Sequence, residues 1–458
     1  MNELSQIARG PHRLRASYQL ESESLQLLIE RIARIGLIIC LIAIYSGAAQ
    51  FIFIASEKLL YGFYLIIIIF TGLCIATNRQ SSWGIQSIAV YLYWLSCYAV
   101  WGLIVTASPN SQLLADMIRM VFRNYLIIIA VVVGLNNLRS FMLFNYLVQA
   151  AIIINCAVSL WQVNNPQMIT DLAYARNPTG DAFNVLRPAG IWINPDEAAF
   201  AFLFAFLIAF KGRGFFFVLA RLAGITGIYL SASRTGMYIL VLYALISLLF
   251  VLKSVRLSRG RIVALVCTGS LLLSLLLLMP FSANKPEVNL SDNLTVGRIL
   301  DFSESAYATD YTRTDVTMAV FNAVMQSPIQ GHGLFVFQRP DLFLPIHLFN
   351  TAFRRINNGA HNIYLVVWGE TGIGVFFGYL LVLGFGVLGV FRAKIAPGER
   401  LIAGLLWLTY LIMGFTWHIQ FTYMLGIVFI ALIYHFPWVV ARSDANNTAS
   451  LVSTPNDK

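Results

Sequence analysis

From Ile35 to Val440 the chain is a succession of apolar runs of span length, separated by polar breaks. About 20 apolar residues in a helix match the ~30 Å hydrocarbon core of a bilayer. This pattern leaves few folds open. Lipid offers the backbone no hydrogen bonds, and only helices or closed barrels satisfy their own. Composition agrees: 58% of the 458 residues are hydrophobic and 11% charged, where soluble domains carry roughly 25% charged residues. The expected fold is therefore an all-α integral membrane protein.

The runs predict about twelve spans, near 35–54, 59–77, 84–106, 117–136, 140–163, 197–210, 214–232, 236–253, 261–281, 362–391, 400–417 and 423–440. The sixth is short, with room to begin inside the Asn194-Pro195 turn, and the tenth is long enough to tilt or to start above the membrane plane. Residues 1–34 are polar, carry Arg9, Arg13, Arg15, Arg31 and Arg34, and lack a signal-type apolar core. They read as a cytoplasmic segment with room for an interfacial helix. Residues 35–440 form the membrane domain, and 441–458 are expected to be a disordered cytoplasmic tail.

The formal charge of +10 would suggest nucleic acid in a soluble protein. Here its distribution matters more, and no nucleic-acid partner is expected. Arg79, Arg139, Lys211 with Arg213, the 253–261 group and Arg392 with Lys394 and Arg400 all fall in alternate loops. Positive loops stay cytoplasmic, so both termini are expected inside. The opposite short loops are nearly bare, with Arg119 and Arg123 as the main exceptions. Cys40, Cys74, Cys97, Cys156 and Cys267 all lie within apolar runs. They read as small hydrophobes and form no metal-ligand spacing.

Two outer loops are long: about 164–196 and, longest of all, 282–360 between spans nine and ten. Long loops are usually functional. Three motifs lie on this side. Arg187-Pro-Ala-Gly190-Ile-Trp-Ile-Asn194-Pro195-Asp196 leads into the sixth span. Ser231-Ala-Ser233-Arg234-Thr-Gly236 turns between spans seven and eight. Gly331-His332-Gly333 precedes Ala360-His361-Asn362-Ile-Tyr364 and Glu370-Thr-Gly372-Ile-Gly374.

In their order and common sidedness these motifs resemble those of the O-antigen ligases and Wzy-type polysaccharide polymerases, over about residues 180–440. Arg187, Gly190, Asn194 and Pro195 match the first family motif, and Ser231, Ser233, Arg234 and Gly236 the second. The third is matched by Gly331, Gly333, His361, Asn362, Tyr364, Glu370, Gly372 and Gly374, with the Glu-x-Gly stretch one residue tighter than the family pattern. The resemblance implies a GT-C-like membrane glycosyltransferase of the bacterial inner membrane with its site facing the periplasm. A glycan on undecaprenyl pyrophosphate would be the donor, and a hydroxyl of a glycan or glycolipid the acceptor. The lipid bilayer, a chain-length regulator and a flippase are the implied working partners.

Such transfer needs a base for the acceptor and cations for the departing phosphates. Arg234 suits the second need, because guanidinium holds phosphate in a bidentate fork and stays charged. An arginine snorkelling to headgroups is the plainer alternative, but the sorting rule disfavours that side. Arg187 is assigned the same role, against simple solvation.

Val316, Ala319, Val320, Ala323 and Val324 mark a helix over 315–326. This puts Arg313 at its N-terminus, where a cation is disfavoured by roughly 0.3–1 kcal/mol unless an anion binds. An ion pair with Asp310 or Asp315 is the equal alternative. Arg298, Arg354 and Arg355 would extend the same basic funnel.

His361, at the start of span ten, is the candidate base, kept neutral by the helix N-terminus. The substrate-binding set is Arg313, Asn362, Tyr364, His332 and Glu370, and His347 shares the loop. Glu370 is an intramembrane carboxylate, functional by default, or else paired with a neighbouring helix; Arg221 is a candidate partner. His418 reads as interfacial and His435 as packed.

No Asp-x-Asp or phosphate-loop motif occurs, so neither a metal nor a cofactor is expected. The alternative class is a lipid-linked glycan transporter, whose ionisable residues would sit near the midplane on broken helices. Between polymerase and ligase the reading leans to polymerase.

Overall fold

The computed structural model describes residues 10–49, 57–77, 85–106, 111–165, 188–192, 194–231, 233–254, 313–337, 362–415 and 423–452. Twelve α-helices and one short 3-10 turn make up the regular structure among them: α1 Gly10–Tyr45, α2 Glu57–Thr77, α3 Ile85–Val105, α4 Ser111–Gly134, α5 Leu138–Asn164, α6 Pro195–Ile208, α7 Phe215–Leu230, α8 Arg234–Ser254, α9 Arg313–Val324, α10 Ile363–Arg392, α11 Pro397–Gly414 and α12 Met424–Val452. Six of these contain stretches long and apolar enough to cross a membrane, in α2, α3, α4, α5, α10 and α12. Shorter apolar helices lie at Phe215–Leu230 and Thr235–Leu249. The protein is thus a multi-pass membrane protein, all-helical among the described residues. The expected ninth span, 261–281, lies outside the described residues, and α9 belongs to the long loop rather than to a span.

Two helices form the centre. The α12 segment 424–442 is apolar and largely buried, packing against α1, α3, α4, α5, α6, α10 and α11. Beyond Asp196 and Glu197 in its first turn, helix α6 is apolar on every side, the mark of a helix with no solvent face, and twelve of its fourteen residues are buried. At 1.5 Å per residue it is only ~21 Å long, shorter than the bilayer core. Its ends must find partners within the protein. Asn194 caps the N-terminus by accepting from the Asp196 N–H at 2.9 Å, and Pro195 follows as the first residue. At the other end Asn145 and Gln149 of α5 donate to the carbonyls of Ile208 and Ala205, both at 3.0 Å.

Cross-helix contacts join helix ends in two sets. Lys211 forms an ion pair with Glu399, Arg34 donates to Ser140 Oγ at 3.3 Å, and His435 Nε2 donates to the Leu135 carbonyl at 3.0 Å. The other ends meet through Trp192 to the Tyr45 carbonyl, Leu334 to Thr106, and Tyr364 to the Leu411 carbonyl. His435 is buried and stacked on Trp438, a packed histidine as expected. Cys40, Cys74 and Cys156 are buried as free thiols. Arg119 and Arg123, the exceptions to charge sorting, have internal partners: Asp116 for Arg119, and the Tyr64 hydroxyl for Arg123.

Three boundaries differ from expectation. Helix α1 runs unbroken for 36 residues through the 34/35 boundary and ends at Tyr45 rather than 54. Likewise α12 continues to Val452, so the start of the polar tail is helical. In both cases an apolar segment nucleates the helix, and propagation into polar residues is inexpensive until a breaker intervenes. The third is α10, which is not one straight tilted span: Gly372, with φ 74° and ψ 179°, breaks it.

Candidate functional site

The first motif is held by an amide-lined face of α5. Gln162 Oε1 accepts from the N–H groups of Ala189 and Gly190 at 3.0 and 2.9 Å, while its amide donates to the Gly190 carbonyl at 2.8 Å. Asn155 Oδ1 accepts from the Ile191 N–H at 2.7 Å. With Trp192 buried and bonded to the Tyr45 carbonyl, residues 189–192 lie fixed against α5 and α1 before the chain enters α6. Arg187 itself lies outside the described residues.

The second motif caps α8. The Ser231 hydroxyl donates to the Ile228 carbonyl at 2.7 Å, closing α7. Ser233 then accepts the first bonds of α8, from Met237 N–H to its carbonyl at 3.0 Å and from Gly236 N–H to its hydroxyl at 3.4 Å. Arg234 is therefore the first residue of α8, two positions before the expected start. Gly236 sits close to Ala199 of α6, which brings the second motif against the helix that the first one opens.

The third motif is a splice. Three hydrogen bonds join the 328–333 turn to the break in α10: His332 N–H to the Gly369 carbonyl at 2.8 Å, Gly333 N–H to the Glu370 carbonyl at 3.0 Å, and Ile373 N–H to the Pro328 carbonyl at 3.0 Å. In a straight helix Gly369 and Glu370 would accept from residues 373 and 374. The turn occupies those carbonyls instead. Only glycine fits at the meeting point. A Cβ on Gly372 would come within 2.0 Å of the Ile329 carbonyl oxygen, and one on Gly331, φ 85°, within 2.5 Å of the Glu370 carbonyl oxygen.

Glu370 is fully buried. It accepts from the Tyr98 hydroxyl of α3 through Oε2, and from the Phe337 N–H through Oε1 at 3.2 Å. Arg221, the partner considered from sequence, is engaged elsewhere: its Nε donates to the Phe217 carbonyl and its guanidinium lies over the Phe210 ring. His332 is half-buried beside Phe337, with Nε2 at 2.7 Å from the Ala323 carbonyl of α9. A carbonyl can only accept, so Nε2 carries the proton.

Asn362 caps α10, accepting from the Tyr364 and Leu365 N–H groups at 3.0 and 3.1 Å. The Tyr364 hydroxyl donates to the Leu411 carbonyl at 2.7 Å, tying the start of α10 to the end of α11. Helix α9 starts at Arg313, two residues earlier than expected, and buries Val320, Ala323 and Val324 from the anticipated face. His361 lies outside the described residues.

Of the expected site residues, His332 and Glu370 are thus brought into one cluster with α9 and α3. Asn362 and Tyr364 stand at the other end of the same helical piece. Arg234 and Arg313 each open a helix, where a bound anion would relieve the unfavourable cation–dipole interaction. Helix α11 packs against α6, α8 and α10, so the elements carrying all three motifs share one neighbour. Among the described residues no group of three His, Cys, Asp or Glu is arranged to hold a metal ion.

Sequence reasoning missed Tyr98, Thr106 and Phe337, and the amides of α5. A signal for the last existed. Asn145, Gln149, Asn155, Ser159 and Gln162 are all buried and recur at helical spacing within an apolar run, where polar side chains are costly without partners.

Residues 217–383 match the family model described as O-antigen ligase. The match begins in α7 and takes in the Ser231–Gly236 turn, α9 and the break in α10. It is narrower than the expected 180–440, starting after the first motif. Compared with curated proteins, the chain has no significant match.

Proposed function

We propose that this chain, of the O-antigen ligase family by its match over residues 217–383, transfers a glycan from undecaprenyl pyrophosphate to a glycan or glycolipid hydroxyl at the periplasmic face of the bacterial inner membrane. The observation that carries the reading is the coincidence of that match with two arginines, Arg234 and Arg313, each at the first residue of a helix. In this account Arg234, Arg313 and Arg187 hold the departing pyrophosphate and His361 takes the acceptor proton. Asn362, Tyr364 and His332 shape the surrounding surface. The chemistry uses neither metal nor nucleotide. The membrane domain has twelve spans with both termini cytoplasmic, an orientation supported by the basic loops. A chain-length regulator and a flippase would act beside it, as befits a polymerase of surface polysaccharide rather than a ligase.

A transporter reading has one point in its favour, the broken helix α10. In transporters such breaks line a substrate cavity. Here the break is filled by the protein's own turn, which favours transfer over transport.

The test is transfer by the purified protein in nanodiscs, using a synthetic polyprenyl-pyrophosphate glycan and an acceptor in the presence of chelator. Product and free lipid pyrophosphate are expected at an unchanged rate. A strict Mg²⁺ or Mn²⁺ requirement would remove the His/Arg mechanism. Sidedness is read separately, from labelling of Ser291→Cys and Asn350→Cys by an impermeant thiol reagent in spheroplasts. Labelling only after lysis would reverse the orientation.

A further inference from the structure

We infer that Glu370 is a positioning residue whose carboxylate, paired with Tyr98, pins the 331–337 turn into the break of α10. It has no exposed surface, so substrate cannot touch it while the turn is docked. Two donors on separate elements reach separate oxygens, the Tyr98 hydroxyl from α3 and the Phe337 N–H from the turn. A buried polar side chain is costly unless hydrogen-bonded, so Glu370 favours the arrangement that brings both donors to it.

The backbone around it is equally committed. The Leu334 N–H donates to Thr106 Oγ1 at 3.2 Å, and the Ser327 hydroxyl and the Gly331 N–H close the turn on itself. Leu334, Phe335, Val336 and Phe337 are all buried. Without the docked turn, the Gly369 and Glu370 carbonyls would regain their helical partners at 373 and 374, and α10 could straighten. The docked turn therefore selects the broken helix. That choice sets the direction of the piece from Ile363 to Thr371, which Asn362 heads.

This inference rests on the proposed transfer reaction for its kinetic readout only. The experiment compares full-length parent, Glu370→Gln, Glu370→Ala, Tyr98→Phe and the Glu370→Gln/Tyr98→Phe double variant in nanodiscs. Two quantities are measured: backbone hydrogen exchange and steady-state kinetics. Exchange over 328–337 should accelerate, while α4 and the buried part of α12 stay protected. The value of kcat should fall roughly tenfold to a hundredfold, as when reacting groups lose their alignment. KM for the lipid-linked donor should stay within about twofold, since no donor contact is removed. The double variant should lose less than the product of the single losses, because both changes break one unit.

Raised KM with unchanged exchange would make Glu370 a substrate ligand and overturn the inference, as would parental exchange and kcat in every variant. If Glu370→Ala does not fold, Glu370→Gln and Tyr98→Phe, which keep the side-chain shape, decide the matter. If even the parent transfers no glycan, the proposed function has failed; the exchange arm still decides whether Glu370 holds the turn.

Discussion

Among the described residues, backbone departs from regular helix just ahead of α6 and again in α10, and the two places are satisfied by different means. At α6 the free groups of the 189–192 segment meet the amide side chains of Gln162 and Asn155, while Asn145 and Gln149 add donors to carbonyls of the last helical turn. At the α10 break the free carbonyls meet the backbone of a returning turn. Side chains can reach across a gap of several ångströms, so the α6 solution needs glycine at one point alone, Gly190 with φ 64°, where a Cβ would come within 2.8 Å of Asn155 Oδ1. Backbone meeting backbone leaves no room for a Cβ, so the α10 solution requires glycine. The first arrangement is spread over many modest contacts, the second concentrated at a few atoms.

That contrast orders the expected effects of substitution. The largest belongs to Gly372→Ala. Its φ of 74° with ψ near 180° is a region essentially restricted to glycine, costing roughly 1–3 kcal/mol for another residue, and the Ile329 carbonyl blocks the new methyl. Thermal unfolding in detergent should show a sharp loss of stability or of folded yield. Gly374→Ala, two residues on and with nothing within 4 Å of a Cβ, should be neutral or stabilising, by up to ~1 kcal/mol from helix propensity. Equal behaviour of the two would remove the break from the account.

Next comes Gln162→Leu, which strands two buried N–H groups at once. Unmet buried donors cost about 1–3 kcal/mol each, although measured values in membranes average nearer ~0.6 kcal/mol per bond. A loss of roughly 1–3 kcal/mol, short of that at Gly372, is expected by the same unfolding assay. Gln149→Met should be the mildest. The Ala205 carbonyl it contacts also accepts from the Ala209 N–H within the helix, while Asn145 Oδ1 loses the bond that Gln149 donates to it at 2.9 Å, so about 0.6 kcal/mol is expected. A Gln149→Met loss exceeding that of Gly372→Ala would invert the comparison.

The two regions also differed in how far they could be read from sequence. The start of α6 was legible, because Asn194-Pro195 stands immediately ahead of an apolar run and does open a helix; the caps that Ser233 and Asn362 provide were not. The helix beginning at Arg313 was legible to within two residues from its apolar period. The break at Gly372 was not. Glycine is common enough in membrane helices that Glu-Thr-Gly-Ile-Gly within an apolar run carries no sign of which glycine leaves the helix. The partner of Glu370 was hidden for another reason: Tyr98 lies far away in sequence and looks like any interfacial aromatic. The amide stripe of α5 was visible in its spacing, but its partner, a loop segment beginning 24 residues after α5 ends, was not. The ends of α1 and α12 went unread because composition marks where apolar residues stop rather than where a helix does.

The most direct test of the proposed transfer is Arg234→Lys, read by lipid-pyrophosphate affinity and turnover together. An ammonium keeps the charge but loses the bidentate fork. Both quantities should suffer, with turnover reduced by the equivalent of about 2–4 kcal/mol in the transition state, as for removal of a donor from a developing charge. His361→Ala, measured alongside, should lower the rate and leave donor affinity nearly intact. An inserted, folded Arg234→Lys protein that binds lipid pyrophosphate and turns over like the parent would contradict the assignment of the leaving group to the start of α8.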